Sequence, residues 1–289
     1  MTVALLAGIV AVANGLGWAG LDAARKKLVV EAHPAGAAAW VNLAQGPIFI
    51  VWAIVTGAEV APAYWPFGLG TLTLQVAANL LFFAAIRSSP LSTTIPFLSF
   101  TPVFATLFGL LLLRQYPSIG QLIGIGLVVA GALTIHEREG RSLVQILREE
   151  RGSMWMVGVA AIWSLTTALD RLVLEHASLP VHGATQSGGV GLAIVVALLL
   201  RGQRDALRVP AAAWNSLGAC VALATVALAF QLWAIQLLLV GLVEATKRAI
   251  GFGSAVLLGR WMFGEALSVR KGIAVLLLAG GTVLLLMPK

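Results

Sequence analysis

Apolar runs of membrane length follow one another along the whole chain, separated by short stretches of Pro, Gly, Ser and charged residues. A spanning helix needs about 20 apolar residues. Ten runs meet that length, at roughly 3–24, 35–57, 66–86, 91–113, 118–136, 153–176, 182–200, 211–235, 238–259 and 268–287. Ser89-Pro90, Tyr116-Pro117-Ser118, Leu179-Pro180 and Val209-Pro210 punctuate the connections. The longest polar stretch, Glu137 to Gly152, falls at the midpoint. It predicts a charged linker, 137–152, between a first five-helix repeat, 1–136, and a second, 153–289.

The halves share weak but ordered similarities. Lys27-Leu-Val-Val-Glu31 resembles Arg171-Leu-Val-Leu-Glu175, and Gly126-Leu-Val-Val-Ala-Gly131 resembles Val275-Leu-Leu-Leu-Ala-Gly280. Ser118 and Ser268 each open the last helix of a half, and one offset of about 144 to 150 residues relates all three pairs. Five helices is an odd number, so the second half enters the membrane upside down. The predicted fold class is an all-α membrane protein of ten transmembrane helices in two inverted five-helix repeats.

Composition agrees with this pattern. Hydrophobic residues make up 59% of the 289, and charged residues 11%, against about 25% charged in soluble domains. The mean hydropathy is +0.94. A net charge of +7 would suggest nucleic acid in a soluble chain. Here the arginines cluster between apolar runs, and neither a phosphate loop nor zinc-ligand spacing is present. The expected partners are the lipid bilayer and a small-molecule substrate, with no nucleic acid, metal or cofactor, in a monomer or homodimer. The first run lacks a basic lead-in and reads as an uncleaved helix. Arg25, Lys26, Lys27, Arg87, Arg138, Arg141, Arg148, Arg151, Arg201, Arg204, Arg208, Arg260, Arg270 and Lys271 all lie in odd-numbered connections. The positive-inside rule puts those connections in the cytoplasm and both termini outside. The expected setting is a bacterial inner membrane.

The chemistry centres on Lys247 and Arg248, adjacent within the apolar stretch Ile235 to Leu258, where Glu244 is the one other charge. Cations at bilayer depth are costly, by about 3 kcal/mol each on insertion scales, and face a bundle interior or an aqueous cavity. Arginine offers a planar fork and lysine a point charge, a combination that suits phosphate or carboxylate. The bland alternative is neutralisation by Glu244, most simply as a Glu244–Arg248 pair one turn apart. Arg171, beside Asp170, and the run Lys26-Lys27 are further candidates, with a local Asp170–Arg171 pair and a cytoplasmic charge anchor as their plain readings. Trp18 and Trp163 lie inside their segments and are candidate contacts, with packing the simpler role. Tyr64-Trp65-Pro66 reads as an interfacial anchor. Pro96 and Pro102 in the fourth segment, and Gly251 and Gly253 in the ninth, are candidate hinges. His33, His136, His176 and His182 are scattered near segment ends, which argues against a membrane-embedded enzyme.

Ala84-Ala-Ile-Arg-Ser-Ser-Pro-Leu-Ser-Thr-Thr-Ile-Pro96, Thr101-Pro102-Val-Phe, and Gly109-Leu-Leu-Leu-Leu-Arg-Gln-Tyr-Pro-Ser118 resemble the EamA domain of the drug/metabolite transporter superfamily. Phe263-Gly-Glu-Ala-Leu-Ser268 resembles the same element in a second copy. The resemblance implies a ten-helix transporter with both termini in the cytoplasm, the reverse of the charge bias. Glu244-Ala-Thr-Lys247-Arg248-Ala-Ile-Gly251-Phe-Gly-Ser254 resembles the ninth helix of the triose-phosphate and nucleotide-sugar translocator branch. That likeness implies a phosphate-holding role for Lys247 and Arg248.

The reading is a secondary transporter of a small organic anion, phosphorylated by the resemblance, working by alternating access and exchange. Export of amino acids, including aromatic ones, or of other metabolites is the alternative. A lipid-phosphate flippase is a third.

Overall fold

The computed structural model describes residues 3–89, 94–136, 145, 147, 149–263 and 269–287. Its helices are α1 (Val3–Glu31), α2 (Pro34–Val55), α3 (Tyr64–Ser88), α4 (Thr101–Leu113), α5 (Ile119–His136), α6 (Arg151–Val173), α7 (Leu179–Leu200), α8 (Trp214–Leu237), α9 (Val240–Phe263) and α10 (Val269–Leu286). Among the described residues, eight stretches are long and apolar enough to cross a membrane. The apolar part of α5 is shorter, at Ile119–Thr134, and α9 carries Glu244, Lys247, Arg248 and Arg260 in its sequence. Most of the linker expected at 137–152 lies outside the described residues, and α6 opens at Arg151, inside its predicted end.

Two boundaries differ from expectation, each for a local reason. The first helix runs on through Arg25-Lys26-Lys27 to Glu31 and stops short of Pro34, which opens α2. Proline suits a first helical turn because its missing N–H has no partner there anyway. The fourth segment is not one helix with internal prolines. Ile95–Phe100 is a 3-10 turn with Pro96 near its start, and α4 begins at Thr101 with Pro102 in its first turn. The break expected between the runs 211–235 and 238–259 falls at Leu238-Leu239, between α8 and α9. There the Gln115 side chain accepts the Val240 N–H at 2.9 Å and satisfies an orphan donor of the new helix.

The packing has a regular plan. The principal pairings are α2 with α7, α5 with α10, α4 with α9, α1 with α8, α3 with α6, α1 with α9, α4 with α6, α2 with α8, and α3 with α7. Exchanging each helix for the one five places along returns the same set, whereas the further pairing of α9 with α10 has only a slight counterpart between α4 and α5. Small residues let the self-paired helices approach. A Cβ on Gly46 would meet the Gly188 Cα at 3.3 Å, and one on Gly124 the Gly281 carbonyl oxygen at 2.9 Å. Without a hydrophobic drive between helices in lipid, such close backbone contact is a main source of association. α9 packs on α1, α4, α5, α6 and α10, so Glu244, Lys247 and Arg248 lie within the bundle.

Candidate functional site

Lys247 is the eighth residue of α9, about 10 Å along the axis at roughly 1.5 Å per residue. Its ammonium donates to Glu244 Oε1 at 2.5 Å. The carboxylate is 2% exposed, and the same oxygen accepts Gln231 Nε2 at 3.0 Å and Thr167 Oγ1 at 3.5 Å. Lys247 also reaches Gln231 Oε1 at 3.4 Å, and its Nζ stands 5.4 Å from the centre of the Trp18 ring. The neutralising partner of Glu244 is therefore Lys247, three residues on, rather than Arg248.

Arg248 turns the other way. Its Nε donates to Thr101 Oγ1 of α4 at 2.9 Å. The Thr101 hydroxyl donates in turn to the Leu98 carbonyl at 2.9 Å, and the Thr101 carbonyl accepts Ser164 Oγ at 2.9 Å. Adjacent helical residues point about 100° apart, which is how one cation meets an acid while its neighbour meets a neutral hydroxyl. The half-buried trio of Glu244, Lys247 and Arg248 keeps one formal positive charge in excess.

Hydrogen-bonding capacity remains open beside it. Trp18 Nε1 and both amide atoms of Asn14, one turn earlier on α1, are buried with no partner among the described residues. A buried unsatisfied polar group costs about 1–3 kcal/mol, so such groups call for a visiting water or solute. A Cβ at Gly251, one turn beyond Lys247, would meet nothing within 4 Å.

The other expected site residues are placed apart. Lys26 and Lys27 are exposed on α1. Arg25 is the member of that run that turns inward, 5.9 Å from the Trp18 ring centre and 3.4 Å from Asp22. Trp163 packs on Phe82 with ring centres 5.6 Å apart. Arg171 pairs with Glu175 at 3.7 Å, not with Asp170, and lines an open cleft of about 230 Å³ with Arg114, Gln115 and Glu175. Gln231, Thr167 and Thr101 were legible only as helix-bonding polar residues. Their convergence on two charges needs the three-dimensional arrangement of α4, α6, α8 and α9.

A second buried cluster lies near the same end of the bundle. Tyr64 and His182, both 0% exposed, are joined through the Tyr64 hydroxyl and His182 Nδ1 at 3.1 Å. His182 Nε2 meets Asp170 Oδ1 at 3.0 Å. Tyr64 is thus a core residue rather than an interfacial anchor, while Trp65 beside it stays exposed. Above the cluster the α2–α3 and α6–α7 connections are clasped. Val60 and Ala177 form an antiparallel bridge, Ala61 N–H donates to the His176 carbonyl at 2.8 Å, and Ser178 N–H to the Glu59 carbonyl at 3.2 Å.

Residues 5–136, nearly the whole of α1 to α5, match the model of the EamA-like transporter family. Over these residues the chain is similar to that family. No curated protein matches the sequence. A crystal structure of a protein 19% identical superposes with a TM-score of 0.77, covering 97% of this chain and 95% of its own. That likeness concerns the fold, and it extends across both halves. EamA-like proteins are membrane transporters, and no catalytic family is indicated. With eight apolar helices of spanning length, the chain is an integral multi-pass membrane protein.

Proposed function

We propose that this EamA-like protein carries a small organic anion with a single negative group, held by Arg248, between two inverted five-helix halves. The observation that carries the reading is the unequal treatment of the two cations. Lys247 is neutralised by Glu244, whereas the described partner of Arg248 is a hydroxyl. The surplus of one positive charge fits a carboxylate or a singly ionised ester. A dianionic phosphate ester, the cargo implied by the ninth-helix resemblance, would need Lys247 released from a carboxylate that holds three donors. Trp18 Nε1 and Asn14 supply hydrogen bonds for an uncharged part of the solute. The reciprocal helix pairings support the inverted repeat, whose interface is where transporters of this plan bind their cargo. We place it in a bacterial inner membrane with the odd-numbered connections cytoplasmic, on the strength of their arginines.

Reconstitution into liposomes tests this reading. Counterflow of monocarboxylates and of phosphate esters is measured for wild type and Arg248→Gln. Faster monocarboxylate exchange that collapses in Arg248→Gln supports it. Transport unaffected by that substitution defeats it.

A further inference from the structure

We infer that the Asp170–His182–Tyr64 chain is a proton-binding site, and that the proton is the coupling ion of this carrier. The inference rests on the anion-carrier reading above and names its second substrate. Each member comes from a different helix: Tyr64 opens α3, Asp170 closes the last full turn of α6, and His182 stands in the first turns of α7. With Asp170 ionised, the bonds assign the neutral tautomer, Nε2–H donating to Oδ1 and the Tyr64 O–H donating to Nδ1.

The protonated state is equally well provided for. A proton added at Nδ1 reverses one bond, so that Nδ1–H donates to the Tyr64 oxygen and Nε2–H keeps Asp170. The displaced Tyr64 hydrogen turns to the Thr185 oxygen on α7, whose own hydrogen is held by the Val181 carbonyl at 3.0 Å. No covalent bond other than N–H changes, and the proton leaves by the reverse step. Asp170 keeps 11% of its side chain exposed, while His182 keeps none. The other charged groups at this end do not compete for the ring. Arg171 is paired with Glu175, His176 stacks on Phe67 at 6.2 Å, and Glu59 meets the neighbouring connection through its backbone. α2, which also packs on α7, carries no charged residue.

One helix ties this chain to the solute site. On successive turns of α6, Ser164 holds the residue that Arg248 bonds, Thr167 bonds Glu244, and Asp170 bonds His182. Charge balance then fixes the stoichiometry. Asp170 and Glu244 offset Lys247 and Arg248, so the empty carrier is neutral across the two clusters. One monoanion at Arg248 and one proton at His182 restore neutrality, whereas either alone leaves a buried unit charge. Proton–anion symport follows, in place of obligate anion exchange.

The full chain in liposomes, with radiolabelled lactate as the probe, tests this. An outside-acid gradient of about one pH unit drives up to about tenfold accumulation for one proton per solute. Wild type accumulates lactate in this way. His182→Gln loses the accumulation, and Tyr64→Phe, a milder change, reduces it. Counterflow in wild type with no response to the gradient overturns the inference, as does undiminished accumulation in a folded His182→Gln protein. Those results leave the anion-carrier reading standing. Absent counterflow of lactate and other monoanions instead defeats that reading, and the proton site is then judged without solute. Histidine-labelled protein, assigned by difference against His182→Gln, is followed by nitrogen NMR between about pH 8 and about pH 5.5, across the range where imidazole changes charge. Conversion of His182 from the Nε2–H tautomer to imidazolium supports the site, and a neutral ring throughout overturns it.

Discussion

The two buried clusters solve opposite problems. The α9 cluster gathers three charges onto two turns of one helix and borrows neutral partners from α4, α6 and α8. The α7 cluster takes one ionisable group from each of three helices and strings them in a line. In the first, charge is in excess and fixed, since arginine does not release its proton. In the second, charge is balanced by moving a hydrogen. A site of permanent charge suits a charged cargo, and a site of movable charge suits a proton. The difference teaches that polarity at membrane depth has to be read by which charge remains after pairing, not by how many charges are present.

The sharpest way to break this contrast is to unbalance the first cluster. Glu244→Gln strands Lys247 beside Arg248, and stranding a buried charge costs roughly 3–5 kcal/mol. The expected result is a large fall in thermal stability of the detergent-purified protein, read by scanning fluorimetry. Arg248→Gln removes the uncompensated charge instead. It should leave stability unchanged or raised while monocarboxylate counterflow falls by about 30-fold or more, in line with about 2 kcal/mol for a lost buried charge contact. Tyr64→Phe removes one interhelical hydrogen bond in the second cluster and should cost about 1 kcal/mol, seen as a modest drop in melting temperature. Trp18→Leu removes the ring beside Lys247 and Arg25, a contact worth about 0.5–2 kcal/mol when partly buried. It should raise the apparent KM a few-fold with kcat little changed. Lys26→Gln with Lys27→Gln, on the exposed face of α1, should leave both constants unaltered. A marked KM effect there would move the site toward that end.

The order of these effects also shows what the chain alone discloses. Eight of the ten expected spans were legible because apolar runs of spanning length are a one-dimensional signal. The first helix was read too short because Arg25-Lys26-Lys27 looks like a stop, although three cations on a helix end that leaves the bilayer cost little. The fourth segment was read as continuous because an apolar run does not distinguish a 3-10 turn from an α-helix when proline stands at each start. At the site, Lys247, Arg248 and Glu244 stood out since charges inside apolar sequence are rare. Their pairing did not, because residues three and four positions on are both within reach and the choice is made by Thr101 and Gln231 on other helices. His182 and Asp170 were hidden for a related reason. Each lies near a segment end, where a polar residue is ordinary, and they meet only because α6 and α7 fold back through the short turn at 174–178.

The central claim is that Lys247 is spoken for by Glu244 and that Arg248 alone meets the cargo's charge. The most direct test removes the pair as a neutral unit, as Glu244→Gln with Lys247→Met, since a buried ion pair can be replaced by uncharged residues with little loss of stability. Monocarboxylate counterflow in liposomes should then stay within about threefold of wild type, because the neutral unit contributes no net charge to binding. Counterflow reduced to the level of Arg248→Gln, in a protein that still folds, would show that Lys247 carries the anion and would contradict the account.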